Sequence, residues 1–156
     1  MKCFKFLLVA LFFLSTNVIF SEDLSVMAKK AKKLVDDGVK YYLDNGEAKA
    51  FAEFDKPDGK FVDGELYLFT YDFNGKCVSH GANKALIGKD LIGLKDSDGK
   101  LLVKDFIELV KKQKEGWVDF MWTHPQTKKN TPKKAYVRQI GTKDLVIGCG
   151  YYYEKK

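Results

Sequence analysis

Between Glu65 and His80 the chain has little freedom of fold. Glu65-Leu66-Tyr67-Leu68-Phe69-Thr70-Tyr71-Asp72-Phe73 repeats with a period of two, is rich in aromatics, and runs into Asn74-Gly75. Asn-Gly between two strand-like runs is the strongest short-range signal for a β-hairpin, since both residues tolerate the left-handed conformation of a tight turn. The spacing predicts a register with Phe73 opposite Lys76, Tyr71 opposite Val78 and Phe69 opposite His80. In that register His80 shares the aromatic face with Tyr67, Phe69 and Tyr71, and Cys77 falls on the reverse face with Thr70 and Asp72.

The flanking segments have a different period. Leu24, Met27, Ala28, Ala31, Leu34, Val35 and Val39 recur at spacings of three and four, which predicts an amphipathic helix over about 24–43, closed by Asn45-Gly46. A short helix over Glu47–Phe54 and a turn at Pro57-Asp58-Gly59 follow. Beyond the hairpin come a loop marked by Gly81, Gly88 and Gly93, and a helix with Leu102, Phe106 and Val110 as its stripe. Three further strands are expected over Trp117–Trp122, Lys133–Ile140 and Leu145–Tyr153. At 156 residues this is one domain with a core of its own. The order is α+β and PAS-like: a long N-terminal helix, then one five-stranded antiparallel sheet with a helical crossover, helices and loops covering one face. The first and last strands of such a sheet are adjacent and central, and the core is expected over about 61–153.

The first residues read as an export signal. Lys2 and Lys5 precede the apolar run Phe6–Leu14, and Ser15-Thr16-Asn17 interrupts it before Ser21. Cleavage after Ser21 would leave residues 22–156 as a periplasmic or secreted domain. A retained N-terminal membrane anchor is the competing reading, although the run is short for a bilayer span. Loss of Lys2 and Lys5 lowers the formal charge from +6 to +4, a mild bias toward anionic ligands. The lysines are scattered among acids, so no nucleic-acid partner is expected. Cys77 and Cys149 remain as an even pair in an oxidising compartment. In a PAS-like sheet, however, they stand two strand spacings apart, roughly ten ångströms, beyond disulfide reach.

No nucleophile elbow, Walker loop, zinc-protease helix or dinucleotide fingerprint is present, and His80 and His124 lack ligand-spaced partners. Asp96-Ser97-Asp98-Gly99 resembles part of a calcium loop, but aligning Gly99 puts Leu94 first and Asp105 last, neither suited to its place. No enzyme, cofactor or metal site is therefore expected. A thiol-dependent activity through Cys149 ranks last, and the register separates Cys77 from His80. The chemistry-bearing stretch is Gly116–Pro125 followed by Thr131–Val137, with two tryptophans, a tyrosine, a histidine and lysines on two strands. Aromatic walls around a cation are suited to a small organic anion. Lys133 can give a carboxylate a charge-assisted bond, and Tyr136 and His80 can add orienting donors. Trp117 and Trp122 differ by an odd number, so the middle of one regular strand cannot aim both into one pocket.

From about Ala28 to Tyr153 the chain resembles the single Cache domains of the second type, found outside the membrane in bacterial chemoreceptors and histidine kinases. The matching residues are Leu66–Phe69 with Asp72 and Asn74-Gly75, His80, Leu86–Lys89, Lys95-Asp96 with Asp98–Lys100, Gly116–Phe120, Trp122 with Pro125, Pro132-Lys133 with Tyr136-Val137, and Val146–Gly148 with Gly150. The resemblance implies a PAS-like sensor for short-chain carboxylates, with Tyr67, His80, Trp117, Trp122, Lys133 and Tyr136 as ligand-binding residues. Gly81 after His80, and Thr123-His124 before Pro125, depart from the usual wording. Such receptors continue into a second membrane helix and a cytoplasmic domain, whereas this sequence ends at Lys156. The expectation is an exported, stand-alone, non-catalytic Cache domain for chemotaxis or related signal transduction, handing ligand or signal to a membrane receptor, kinase or transporter. The alternative is a structural or interaction module that kept the fold, lost the pocket, and forms a homodimer through its N-terminal helix.

Overall fold

The computed structural model describes the backbone of residues 15–154 and the side chains of residues 24–154. The expected export signal at residues 1–21 lies outside the described side chains, and its first fourteen residues lie wholly outside the description. Among the described residues no helix is long and apolar enough to cross a membrane.

Helix α1 spans Ser15–Asn45, and Gly46 closes it by donating its N–H to the Tyr42 carbonyl. Helix α2 spans Glu47–Phe54. A two-stranded ribbon follows, β1 (Val62–Asp63) with β2 (Leu66–Tyr67), then β3 (Phe69–Asp72) and β4 (Cys77–His80). Helix α3 spans Leu102–Gln113 and precedes β5 (Glu115–Thr123), β6 (Asn130–Gln139) and β7 (Leu145–Tyr152). The five-stranded antiparallel sheet has the order β4-β3-β7-β6-β5. This is the expected PAS-like arrangement, with the first and last main strands side by side. Cys77 and Cys149 are separated by β3, and both are free and buried.

Three details depart from the expected layout. The run from Glu65 to Phe73 is not one strand, because Leu66–Tyr67 pairs with β1 before the chain joins the sheet at Phe69. Both faces of the sheet are covered, α1 and α2 lying on one and α3 with the loop before it on the other. The hairpin turn is also longer by one residue. The Asp72 N–H bonds the Lys76 carbonyl at 2.9 Å, and the Asp72 carboxylate accepts from the Asn74 and Lys76 N–H groups, each at 2.9 Å. Gly75 has a φ of 94°, which a three-residue loop ending in a left-handed glycine needs. Tyr71 therefore pairs with Cys77 instead of Val78, and a bulge restores Phe69 opposite His80. Cys77 packs with Tyr71 in the α3-side core, not on the reverse face.

The sheet separates two apolar clusters. Ala31, Val35, Val39 and Tyr42 of α1 meet Leu66, Leu68, Tyr136, Ile147 and Cys149 on one side. Leu102, Phe106, Ile107 and Val110 of α3 meet Tyr67, Phe69, Tyr71, Phe120 and Val137 on the other. Gly148 of the central strand β7 is what lets Phe69 lie flat over the second face: a Cβ there would stand 2.5 Å from the Phe69 ring.

Candidate functional site

The candidate site lies between the sheet and α3. It is a cavity of about 10 Å³ lined by Tyr67, Phe69, Tyr71, His80, Leu102, Phe106, Phe120, Trp122 and Lys133. That volume is room for about one water. Four of the six candidate residues named from sequence meet there: Lys133, His80, Tyr67 and Trp122.

The other two are on the opposite face. Trp117 pairs with Tyr136 across β5 and β6, their rings 5.3 Å apart, and both belong to the α1-side cluster. The Tyr136 hydroxyl accepts from Lys32 of α1 at 2.9 Å. The reason is parity. Lys133 and Tyr136 are three residues apart on one strand, so their side chains leave opposite faces, as do Trp122 and Trp117 five residues apart.

Lys133 is held from both sides. Its register partners are Phe120 on β5 and Tyr152 on β7, which puts all three side chains on the cavity face. The residue is 1% exposed. Its Nζ sits 3.9 Å from the centre of the Tyr67 ring and 4.5 Å from that of Tyr152, and donates to Tyr152 Oη at 3.4 Å. Tyr152 Oη donates to the Thr123 carbonyl at 3.0 Å and stands 3.4 Å from Tyr67 Oη. A hydroxyl has one proton, so Tyr152 receives from both Lys133 and Tyr67. Aromatic faces stabilise an ammonium, but they do not neutralise it. Among the described residues every ion pair uses another cation, and no aspartate or glutamate is buried.

His80 faces the same space, 5.1 Å from the Tyr67 ring. Asp55, which ends α2, fixes its strand by accepting from Ser79 Oγ at 2.7 Å and the His80 N–H at 3.0 Å. His80 Nδ1 accepts from the N–H groups of Ala82 and Asn83 at 3.3 and 3.0 Å. The ring proton of neutral His80 is therefore on Nε2, a donor. Burial first, and the charge of Lys133 second, hold its pKa down to about 3. The site thus combines a buried ammonium bordered by tyrosine hydroxyls, a neutral imidazole donor and a wall of aromatic and aliphatic side chains.

Sequence reasoning missed Tyr152, because Tyr151, Tyr152 and Tyr153 look alike and β7 is buried along its whole length. The usable signal was its register opposite Lys133. Asp96, read as a turn residue, accepts from the N–H groups of Asp98, Lys100 and Met121, which ties the loop before α3 to β5. The thiols of Cys77 and Cys149 are each pushed up to about 12, chiefly by burial, which leaves little thiolate at neutral pH.

Comparison with known proteins agrees with this architecture. A family model described as Cache domain matches residues 57–155. Methyl-accepting chemotaxis protein McpP of Pseudomonas putida is 27% identical over 92 residues, 59% of this chain and 17% of that protein. The chain thus spans about a sixth of the length of this curated relative. The crystal structure of a methyl-accepting chemotaxis protein from Vibrio parahaemolyticus is 25% identical with a TM-score of 0.73, covering 87% of this chain and 95% of that one. A Cache chemosensory domain described for carboxylic acid recognition shares the fold, with a TM-score of 0.66 at 20% identity over 92% of this chain and 100% of the other. The named relatives are methyl-accepting chemotaxis proteins and a chemosensory domain. With well over half of its length matched, and with the PAS-like sheet in place, the chain belongs to the Cache domain family of extracytoplasmic sensors, as a single Cache domain of the second type.

Proposed function

We propose that this domain binds a small organic monocarboxylate between the sheet and α3, without transforming it, and passes the signal or ligand to a membrane partner. One observation carries the reading: the Lys133 ammonium is buried to 1% exposure with no carboxylate paired to it among the described residues. An unpaired buried charge is costly, and such cations are ordinarily paired. A ligand carboxylate on Lys133 supplies the missing anion. Neutral His80 offers its Nε2 proton to the second carboxylate oxygen, and the phenols of Tyr67 and Tyr152 border the same pole. Trp122, Phe120 and Phe106 surround the apolar end. A domain of the same fold is described for carboxylic acid recognition, and a receptor, kinase or transporter is the partner such a sensor serves.

Export through residues 1–21, leaving a periplasmic or secreted domain, is part of the same proposal. Calorimetry of purified protein against formate, acetate, propionate, lactate and pyruvate tests the ligand. Heat with at least one of them, lost in Lys133→Met, supports the reading. No heat with any of them, and no carboxylate carried through purification, sinks it.

The water-sized cavity favours a second reading, an interaction module whose side chains fill the pocket. It predicts self-association through α1 and no response to any small acid, which sedimentation on the same sample separates from the first.

A further inference from the structure

Lys133 donates to the Tyr152 hydroxyl, so where its ammonium points depends on what holds Tyr152. On one side β7 gives no help: its ladder with β3 ends at the Phe69–Gly148 pair, and the Tyr152 N–H lies beyond that end. Two residues outside the cavity take over. Glu65, just before β2, accepts the Tyr152 N–H at 3.3 Å through one carboxylate oxygen and stands 3.2 Å from His124 Nε2 through the other. The His124 ring lies against the Tyr152 ring with centres 4.5 Å apart. The residue before it, Thr123, supplies the carbonyl that takes the Tyr152 hydroxyl proton. Backbone, ring and hydroxyl of one tyrosine are each held by this unit.

His124 is itself oriented. Its Nδ1 accepts from the N–H groups of Gln126 and Thr127 at 3.2 and 3.4 Å, which puts the ring proton on Nε2, aimed at Glu65. His80 is built the same way, with Nδ1 on a turn and Nε2 free to donate. The His124 and Glu65 side chains are only 13% and 25% exposed, so water competes weakly for their bond.

We propose that His124 and Glu65 are positioning residues of the anion pole: acting through Tyr152, they fix the direction of the Lys133 ammonium, although neither lines the cavity. The inference rests on the reading of Lys133 as that pole. With the Tyr152 proton committed to Thr123, the lone pairs of its oxygen face Lys133 and Tyr67. Were Tyr152 free to turn, an arriving anion would have to order both groups, a cost that a preset pole avoids.

The rival role for His124 is merely to cap its own turn, and two substitutions separate the roles. Glutamine reaches as far as Nε2 and can donate to Glu65, but cannot cap the turn; serine can cap the turn and is too short for Glu65. Calorimetry of the full chain with acetate, propionate, lactate and pyruvate, and urea unfolding of the same preparations, read the outcome. For the acid that binds the unmodified chain most tightly, His124→Ser should weaken binding about tenfold, the scale of one lost hydrogen bond. His124→Gln should stay within about threefold. Glu65→Gln, whose one carbonyl cannot serve both partners, should cost about threefold, and the double variant Glu65→Gln/His124→Ser no more than His124→Ser alone. Without any ligand, the Lys133 ammonium should give a slowly exchanging signal in a ¹⁵N-labelled chain, assigned by its loss in Lys133→Met and broadened in His124→Ser. Full affinity in His124→Ser with loss in His124→Gln leaves only the turn cap and overturns the positioning role. Losses that multiply in the double variant break the pair into two unrelated residues and overturn it too. An ammonium signal equally sharp in the unmodified and His124→Ser chains overturns it whether or not an acid binds. No heat from any acid with the unmodified chain overturns the pole itself, so the two failures are distinct.

Discussion

The two faces of the sheet carry the same ingredients and use them differently. On the α1 side Lys32 sits 4.3 Å over the Tyr136 ring, donates to its hydroxyl at 2.9 Å, and has Asp36 at 3.1 Å. On the α3 side Lys133 sits over Tyr67 and Tyr152 and donates to one hydroxyl, with no carboxylate partner among the described residues. The Lys32 side chain is 43% exposed, whereas Lys133 is 1% exposed. Each face also has a tryptophan, Trp117 beside Tyr136 and Trp122 beside Phe120. Aromatic residues and a lysine therefore do not by themselves make a binding site. What distinguishes a site from a strut is whether the cation's charge is already answered. Lys32 is answered by Asp36 and by water, so it ties a helix to a sheet. Lys133 has no such carboxylate among the described residues and lies out of reach of bulk solvent.

The largest effect that separates the faces is expected from Lys133→Met, which keeps length and apolar bulk and removes the charge. Carboxylate affinity should fall about 10- to 100-fold, since a hydrogen bond to a charged group is worth ~1.5–3 kcal/mol and 1.4 kcal/mol is tenfold. Stability should hold or rise by ~1 kcal/mol, because an uncompensated buried charge disappears. Urea unfolding and calorimetry on one preparation read both. A variant that loses more than about 2 kcal/mol of stability but keeps its ligand affinity would make Lys133 a strut like Lys32 and erase the contrast.

His80 yields the next effect, through pH. Its folded pKa, near 3, lies below the 6.5 of an unfolded histidine, so between those values the unfolded chain binds the extra proton. The stabilisation is complete above about pH 6.5 and is lost as pH falls toward 3. Between pH 7 and pH 5 the loss is on the order of 2 kcal/mol. His80→Gln, which keeps an amide donor and has no proton to gain, should flatten that part of the profile. If the two chains lose stability in parallel over this range, the imidazole is not held neutral by the cavity.

The sequence displays period better than parity across gaps. Alternation and Asn74-Gly75 placed the hairpin and set His80 opposite Phe69, because those signals are local. The one-residue shift at Tyr71 was hidden, since it depends on the Asp72 carboxylate capturing two backbone N–H groups. For the site, Lys133, His80, Tyr67 and Trp122 were legible as types of residue in strand-like runs. That Tyr136 leaves the other face was available by counting from Lys133 and was masked by treating aromatics on one strand as one cluster. Tyr152 was harder. Leu145–Tyr152 is buried at every position, so no alternation tells which of three consecutive tyrosines faces the cavity until β7 is paired with β6.

The smallest predicted effect is the sharpest on how independent the faces are. Tyr136→Phe removes the hydroxyl that takes the Lys32 hydrogen bond and leaves the ring against Trp117. Lys32 keeps Asp36, and the pair is half in solvent, so the stability loss should be only ~0.5–1 kcal/mol. Carboxylate affinity should change by less than about twofold, within the ~0.4 kcal/mol by which independent sites add. Yet Tyr136 and Lys133 share β6, and α1 rests on that strand through Lys32 and through Arg138, which donates to Asp36 at 2.6 Å. A tenfold change in affinity from so small a deletion would show the sheet transmitting between its faces, with the α1 contacts of β6 reading the state of the cavity. A null result in calorimetry, together with the small shift in urea midpoint, keeps strut and site as separate uses of one strand.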